Sequence, residues 1–441
     1  MREVYGGSYD PEIHTLAVFG LGQIGLPIAA TFASRGLKVI GVDIDQAKVK
    51  AVNSKICYIK EPGLEETLQN VVSKGLLSAT TDGIKAVTES DAVIVAVATP
   101  ATRNAIDLSS LTLALEVISK GLHEGQLVSI ESTVPPGTTL NLAKPILEKR
   151  GLRVEEDFYL AHVPERVASG KALNELLNIP RIVGGVGPKS TQKAIELYSK
   201  VNPKLLPTDS TTAEFVKLIE NTFRDLNIAF ANLIALVSEK IGIDASEAIA
   251  LANTHPRVNI HRPGCGVGGP CLTKDPWMLF KVGEGAKGIG LIELSREIND
   301  YMPKHTVDLV EKALREHGVL KAKVVVLGAA YKGGVSDTRS SPAKEIVREL
   351  LAKGYEVVVH DPHVKESFGT KYEEDLKKAI EGADVVVIAT DHQEYKDLDL
   401  SSLRKLAKNS IIVDGRRIIN PEVAQNLGFK YYGIGYGRER T

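Results

Sequence analysis

Thr15-Leu16-Ala17-Val18-Phe19-Gly20-Leu21-Gly22-Gln23-Ile24-Gly25 decides the fold. The first five residues read as a buried strand. Three glycines then follow at the spacing G-x-G-x-x-G, and residues 26–35 carry a helical pattern that stops at Gly36. A second apolar run, residues 38–42, ends in Asp43, 18 residues after Gly25. Strand, glycine turn, helix, strand and acid in this order predict a dinucleotide site. The glycines allow a tight turn and the close approach of a pyrophosphate to the helix N-terminus, whose unpaired N–H groups and dipole favour an anion. A glycine-rich turn without a ligand is the plainer reading, and the ordered context argues against it.

Asp43 is expected to accept from ribose hydroxyls and to repel a 2′-phosphate, which favours NAD over NADP. The strand–helix alternation continues. Residues 91–97 and 126–130 read as strands that end in Thr99-Pro100 and in Glu131-Ser132-Thr133. Ligands of a doubly wound sheet sit at the carboxyl ends of its strands, so Thr99 and Thr133 become cofactor-side candidates, with simple turn chemistry as the alternative. A strand at 158–161 ends in His162-Val163-Pro164-Glu165-Arg166, a group of ionisable residues that reads as a site or as an exposed ion pair.

Composition excludes several classes. A chain of 441 residues, 43% hydrophobic and 25% charged, predicts two to three globular domains. The net charge of −1 without a basic cluster gives no reason to expect nucleic acid or a membrane surface as partner. Cys57, Cys265 and Cys271 are an odd number without a CxxC pair, which predicts neither disulfides nor a zinc site and fits a reducing cytoplasm. The first 14 residues are polar, with no apolar signal core, and no apolar run reaches the length of a membrane span.

Thr211 and Glu214 have the spacing of a capping box, and no proline or glycine interrupts the chain from there to Ile241, which predicts one helix of residues 211–241. Lys217, Asn221 and Arg224 share one of its faces. Phe215, Leu218, Phe223, Leu226, Phe230, Leu233, Ile234 and Val237 spread too widely for a single core, so burial against a partner subunit is expected. Next comes the loop Gly264-Cys265-Gly266-Val267-Gly268-Gly269-Pro270-Cys271, with Asp275 four residues beyond the second cysteine. Glycines that let the backbone approach a ligand present that thiol as a nucleophile, the alternative being a small buried apolar residue. After a stretch near residues 301–322 that reads as a hinge, strands at 323–327, 355–359, 383–389 and 410–413, with a helix at 341–353, repeat the opening layout. The turn of this second unit carries Lys332 and Arg339 instead of GxGxxG, suited to a different phosphorylated ligand. The fold class expected is α/β, two Rossmann-like doubly wound domains joined by a long central helix.

The glycine fingerprint, Ser132-Thr133-Val134-Pro135, Pro164-Glu165, Lys217 to Asn221, Gly268-Gly269-Pro270-Cys271-Leu272-Thr273-Lys274-Asp275-Pro276 and Asp337-Thr338-Arg339-Ser340-Ser341-Pro342 occur in the order seen in the UDP-glucose/GDP-mannose dehydrogenase family, which the chain resembles over nearly its whole length. The resemblance implies an NAD-binding domain over residues 1–210, a central helical dimerisation region with the cysteine loop over 211–300 and a nucleotide-sugar domain over 301–441. It implies oxidation of C6 of a nucleotide sugar from alcohol to acid with two NAD through a Cys271 thioester, in a homodimer or higher oligomer, with no metal. Glu220 to Asn232, His255-Pro256-Arg257 and Pro164-Glu165-Arg166-Val167 resemble the enzymes acting on UDP-N-acetylhexosamines, UDP-N-acetyl-D-mannosamine in particular. Pro270 departs from the His those enzymes often carry.

Carried over, the resemblance makes Cys271 the nucleophile and Lys217 the proton handler beside the oxyanion. Asn221 and Asp275 assist hydrolysis, with Glu165 and Thr133 near the water and the choice of base between Glu165 and Asp275 open. It implies cofactor contacts from Gly20, Gly22, Gln23, Ile24, Gly25, Asp43, Lys48, Thr99, Thr133 and Arg339. It implies nucleotide-sugar contacts from His162, Glu165, Arg166, Val167, Lys217, Asn221, Arg224, His255, Arg257, Gly268, Tyr331 and Lys332. The rival readings are a sibling acting on UDP-N-acetylglucosamine, UDP-glucose or GDP-mannose, a two-electron hydroxyacid dehydrogenase and a non-catalytic NAD-binding protein.

Overall fold

The computed structural model describes residues 12–438. Most of the polar leader, residues 1–11, lies outside the described residues. The chain divides into two compact units, Met1–Glu220 and Asn221–Thr441.

The first unit holds an eight-stranded sheet of β1 (Thr15–Phe19), β2 (Lys38–Val42), β3 (Leu77–Thr80), β4 (Ala92–Val95), β5 (Leu127–Ile130), β6 (Tyr159–His162), β7 (Arg181–Gly185) and β8 (Leu205–Asp209), in the order β3-β2-β1-β4-β5-β6-β7-β8. All neighbours pair parallel except β6 with β7. Leu16 and Val18 pack into one apolar cluster while Ala17 and Phe19 pack into another on the opposite face. Burial on both faces is why β1 reads as a continuous apolar run rather than an alternating one. The strand order reverses between β1 and β4, which opens the ligand crevice at their carboxyl ends. Helix α1 (Gly25–Ser34) leaves the glycine turn there.

Helix α2 runs Ser210–Ile241, 32 residues. The expected capping box at Thr211 and Glu214 is not formed. Asp209 is the cap: its carboxylate accepts from Thr212 N at 2.9 Å and from Thr212 Oγ1 at 2.6 Å. Glu214 instead accepts from Thr139 N and Oγ1 and from Gly137 N, at 2.5–2.7 Å, pinning the loop after Thr133. A carboxylate offered three donors on one loop gains more there than from the single N–H of its own helix end.

The second unit repeats the layout with six parallel strands: β9 (Lys323–Leu327), β10 (Glu356–His360), β11 (Lys371–Tyr372), β12 (Val385–Ile388), β13 (Ile411–Asp414) and β14 (Lys430–Gly433), in the order β11-β10-β9-β12-β13-β14. The correspondence is atomic. Gly20 N donates to Val42 O and Gly328 N to His360 O, both at 2.8 Å. Asp43 Oδ2 accepts from Leu21 N and Asp361 Oδ2 from Ala329 N. Helices α3 (Asp275–Val282), α4 (Gly290–Glu316) and α5 (Pro342–Ala352) complete what the site needs. The hinge expected near residues 301–322 is absent, because α4 passes straight through Pro303. An interior proline costs about 3 kcal/mol, and here Leu309, Val310, Ala313 and Leu314 are buried in the core beyond it, so packing outweighs the break.

Candidate functional site

The glycine turn at the head of α1 shows a different need at each glycine. Gly20 sits at φ +90° with its Cα facing Ala96 O, where a Cβ would come to 2.5 Å. A Cβ on Gly25 would run into Gly20 O. Gly22 alone faces open space, with nothing within 4 Å of its Cβ position. Two glycines therefore serve the turn and the packing, and Gly22 leaves the approach free for a pyrophosphate, so these residues fit NAD. Asp43 is at the end of β2 as expected, but its carboxylate is occupied within the protein. Oδ2 accepts from Leu21 N at 2.8 Å and from Lys48 Nζ at 3.3 Å, and Oδ1 from Asp45 N at 2.9 Å. It holds the glycine loop and keeps spare acceptor capacity on Oδ1 for a ribose hydroxyl. Thr99 Oγ1 donates to Thr133 O at 2.6 Å, tying the ends of β4 and β5 together.

The end of β6 carries two buried ionisable groups, His162 and Glu165, and α2 adds a third, Lys217. His162 is fully buried, and neither ring nitrogen has a hydrogen-bond partner. Burial, with the Lys217 charge second, pushes its pKa down to about 3, so it stays neutral at neutral pH. Two orphan polar atoms cost about 1–3 kcal/mol each. Lys217, on α2, is 6% exposed and stands 3.9 Å from Glu165 Oε2. Burial pushes the Glu165 carboxyl above its ordinary range, against the Lys217 charge and the Val167 N–H that favour ionisation. Arg166 is held by Glu220, at 2.5 and 3.2 Å, and by the Pro180 carbonyl, while Val167 packs on the apolar core.

The second unit gathers the other group. Asn221 Nδ2 donates to Asp275 Oδ2 at 2.6 Å, and Lys274 Nζ to Asp275 Oδ1 at 2.5 Å, so both oxygens of this fully buried carboxylate are engaged. Asp275 opens α3, where the N-terminal dipole favours its charge. Asp275 N and Lys274 N both donate to Cys271 O, at 2.9 and 3.0 Å, which fixes the half-buried Cys271 at the mouth of that helix. Arg339 pairs with Asp337 at 2.6 Å, and those hydrogen bonds raise its pKa above the ordinary value. Tyr331 lies under the glycines of this loop: a Cβ on Gly269 would come to 2.7 Å from its ring. Cys265 is fully buried and belongs to the core of the second unit. Lys332, Arg224, His255 and Arg257 are at the surface. Asn253 and Asn227 hold the loop of His255 and Arg257 through both backbone edges.

Comparison with known proteins decides the identity. Residues 14–202 match the NAD binding domain of the UDP-glucose/GDP-mannose dehydrogenase family, 211–301 its central domain and 325–421 its UDP binding domain. The chain belongs to this family. A UDP-N-acetyl-D-mannosamine dehydrogenase of Pyrococcus horikoshii is 45% identical over 425 residues, 96% of this chain and 99% of that one. The solved structure of that activity from P. horikoshii superposes with a TM-score of 0.90 at 43% identity, covering 96% of this chain and all of the other, 100%. A UDP-glucose dehydrogenase of Pyrobaculum islandicum gives 0.85 at 29% identity over 98% and 100% of the two chains. The protein is an NAD-dependent nucleotide-sugar dehydrogenase. Among the described residues no helix is long and apolar enough to cross a membrane.

Two buried networks of this dehydrogenase escape a reading of its motifs. Asp225 accepts from Arg296 Nη1 at 2.6 Å and from Asn299 Nδ2 at 2.8 Å, and Asn232 Nδ2 donates to Asn299 Oδ1 at 2.9 Å. This ladder grips the cysteine loop at both ends, Gly264 N on Asn232 and Leu272 O on Arg296. In the first unit Glu131 accepts from Arg181 at 2.6 Å and from Tyr198 at 2.7 Å. Asn221, Asp225 and Asn232 lie 4 and 7 residues apart, on one face of α2, which was a readable sign of a polar stripe. Arg181 carried no local signal.

Proposed function

We propose that the protein oxidises C6 of UDP-N-acetyl-D-mannosamine to UDP-N-acetyl-D-mannosaminuronic acid in four electrons through a thiohemiacetal and a thioester on Cys271. The observation that carries the substrate is the 45% identity with the P. horikoshii mannosamine enzyme, against 29% with the P. islandicum glucose enzyme. NAD held at the glycine turn and Asp43 would supply the hydride acceptor for each oxidation, one NAD for each of the two hydrides. Cys271 adds to the aldehyde carbonyl, and Asn221 and Lys217 donate to the oxygen that gains charge. Asp275 holds Asn221 in line. With both its oxygens engaged, it is a poorer base than Glu165, which burial has moved toward neutral pH and which takes the proton of the hydrolytic water. On a panel of UDP-N-acetylmannosamine, UDP-N-acetylglucosamine, UDP-glucose and GDP-mannose, the first is expected to give the highest kcat/KM, with two NADH per acid. Faster turnover of UDP-glucose rejects the substrate.

The same reading makes residues 211–300 a dimerisation region. Phe223, Phe230 and Val237, seven residues apart along α2, are 60%, 48% and 44% exposed, a stripe too large for water-facing side chains to be its final state. Equilibrium sedimentation at micromolar concentration is expected to show a homodimer that Phe230→Glu dissociates. A monomeric parent removes the proposal.

A further inference from the structure

Three consecutive residues after β12 grip one loop of the second unit. Thr390 Oγ1 donates to Ala330 O at 2.6 Å, Asp391 Oδ1 accepts from Gly333 N at 3.0 Å, and His392 Nδ1 accepts from Gly334 N at 3.1 Å. From the other side Asp361 Oδ2 accepts from Ala329 N at 2.7 Å and from Ala330 N at 3.0 Å. The two sides are joined, since His392 Nε2 lies 3.0 Å from Asp361 Oδ2 and both side chains are fully buried. Because Nδ1 accepts from Gly334, the ring proton sits on Nε2 and points at Asp361. Asp361 Oδ1 takes His363 N at 2.8 Å and Val364 N at 3.1 Å. Burial alone would raise the Asp361 carboxyl, but these donors hold it down to about 2.

Five hydrogen bonds of this clamp land on residues 329–334, and the side chains that loop carries outward are Tyr331 and Lys332. Tyr331 N donates to Asp337 O at 3.0 Å, and its Cβ and ring press on Gly268 and Gly269, where a Cβ would come to 2.8 and 2.7 Å. Gly269, at φ +90°, also donates to Arg339 O at 3.0 Å. Two residues later comes Cys271. The contacts form a chain from the clamp through Tyr331 to the turn that aims the thiol. His363 and Glu394 stand beside His392, but both ring nitrogens of His392 are spent on Asp361 and Gly334, so the cluster is not a metal site.

We propose that the buried Asp361–His392 pair is a positioning device for Cys271: it sets the loop of Tyr331 and, through the Tyr331 ring, the glycine turn that presents the thiol. The proposal rests on Cys271 as the nucleophile. A misplacement of about 1 Å at a reacting atom costs on the order of a hundredfold in rate, so a loosened clamp is expected to cost at least about tenfold. The test is His392→Phe, which keeps a ring of similar volume and removes both hydrogen bonds, with His392→Gln as the conservative variant. In the full-length enzyme, His392→Phe is expected to lower kcat about tenfold or more and to slow alkylation of Cys271 by iodoacetamide about fivefold, with the Kd for NAD unchanged. His392→Gln, which can still donate to Asp361, is expected to recover part of both losses. A folded His392→Phe enzyme whose kcat and alkylation rate are within twofold of the parent overturns the proposal. If alkylation slows while kcat holds, the clamp stands and Cys271 as nucleophile falls, which keeps the two readings apart. Should His392→Phe not fold, Thr390→Val, nearly isosteric and lacking only the bond to Ala330, carries the same readouts and the same twofold criterion.

Discussion

Cys271→Ala is expected to bind NAD and the UDP-sugar as the parent does and to form uronic acid more slowly by about 10³-fold or more, the scale on which a covalent nucleophile is felt. The reason is the order of electrons. After the first oxidation the substrate is an aldehyde, and its carbon cannot release another hydride until an addition makes it tetrahedral. A thiolate does this readily. Lys274 N and Asp275 N both donate to the Cys271 carbonyl, which fixes the backbone that carries the thiol at the start of α3. The thiohemiacetal then gives up the second hydride and becomes a thioester, which water opens. Cys271→Ser is expected to stop at an ester, because an alkoxide leaves less readily than a thiolate. Iodoacetate should label Cys271 in the parent, with UDP-sugar protecting it. Acid formation by Cys271→Ala near the parent rate would sink the covalent mechanism.

The glycines of both units were legible from residue type alone, since a backbone at φ +90° or a Cα pressed against a carbonyl admits little else, and Gly20, Gly25 and Gly269 are such places. Asp43 was legible in place but not in partner: its position follows from the strand pattern, while its bond to Leu21 N depends on how the turn closes. The capping box at Glu214 and the hinge near residues 301–322 misled because local rules were outweighed from a distance, one by a loop 75 residues away and the other by a core. Arg296 pairs with Asp225 across 71 residues, and His392 with Asp361 across 31. No window along the chain contains such a pair. Motifs therefore announced the candidate site groups, and the fold was needed to find the residues that hold them.

Glu165→Gln is expected to slow steady-state acid formation by about 10²–10⁴-fold, the usual contribution of a general base, while leaving both oxidations intact. The variant should then release a burst of two NADH per active site and stall as the thioester on Cys271. The pH dependence follows from the sign of the Glu165 shift. Its 7% exposure raises the folded pKa above the unfolded carboxylate value, so the neutral form is the one that folding prefers. The stability this lends the parent is fully present below the unfolded pKa, near 4.3, and is lost as pH rises through the raised folded value. Gln cannot ionise, so Glu165→Gln should keep that stability and melt above the parent at neutral pH, with the difference fading toward pH 4. Activity runs the other way, because a base must be ionised to accept the water proton. The parent's hydrolysis should therefore climb with pH through the same raised pKa at which its stability falls. A Glu165→Gln enzyme with the parent's steady-state rate and no burst would move the base elsewhere; higher melting without slower hydrolysis would leave Glu165 a buried acid and nothing more.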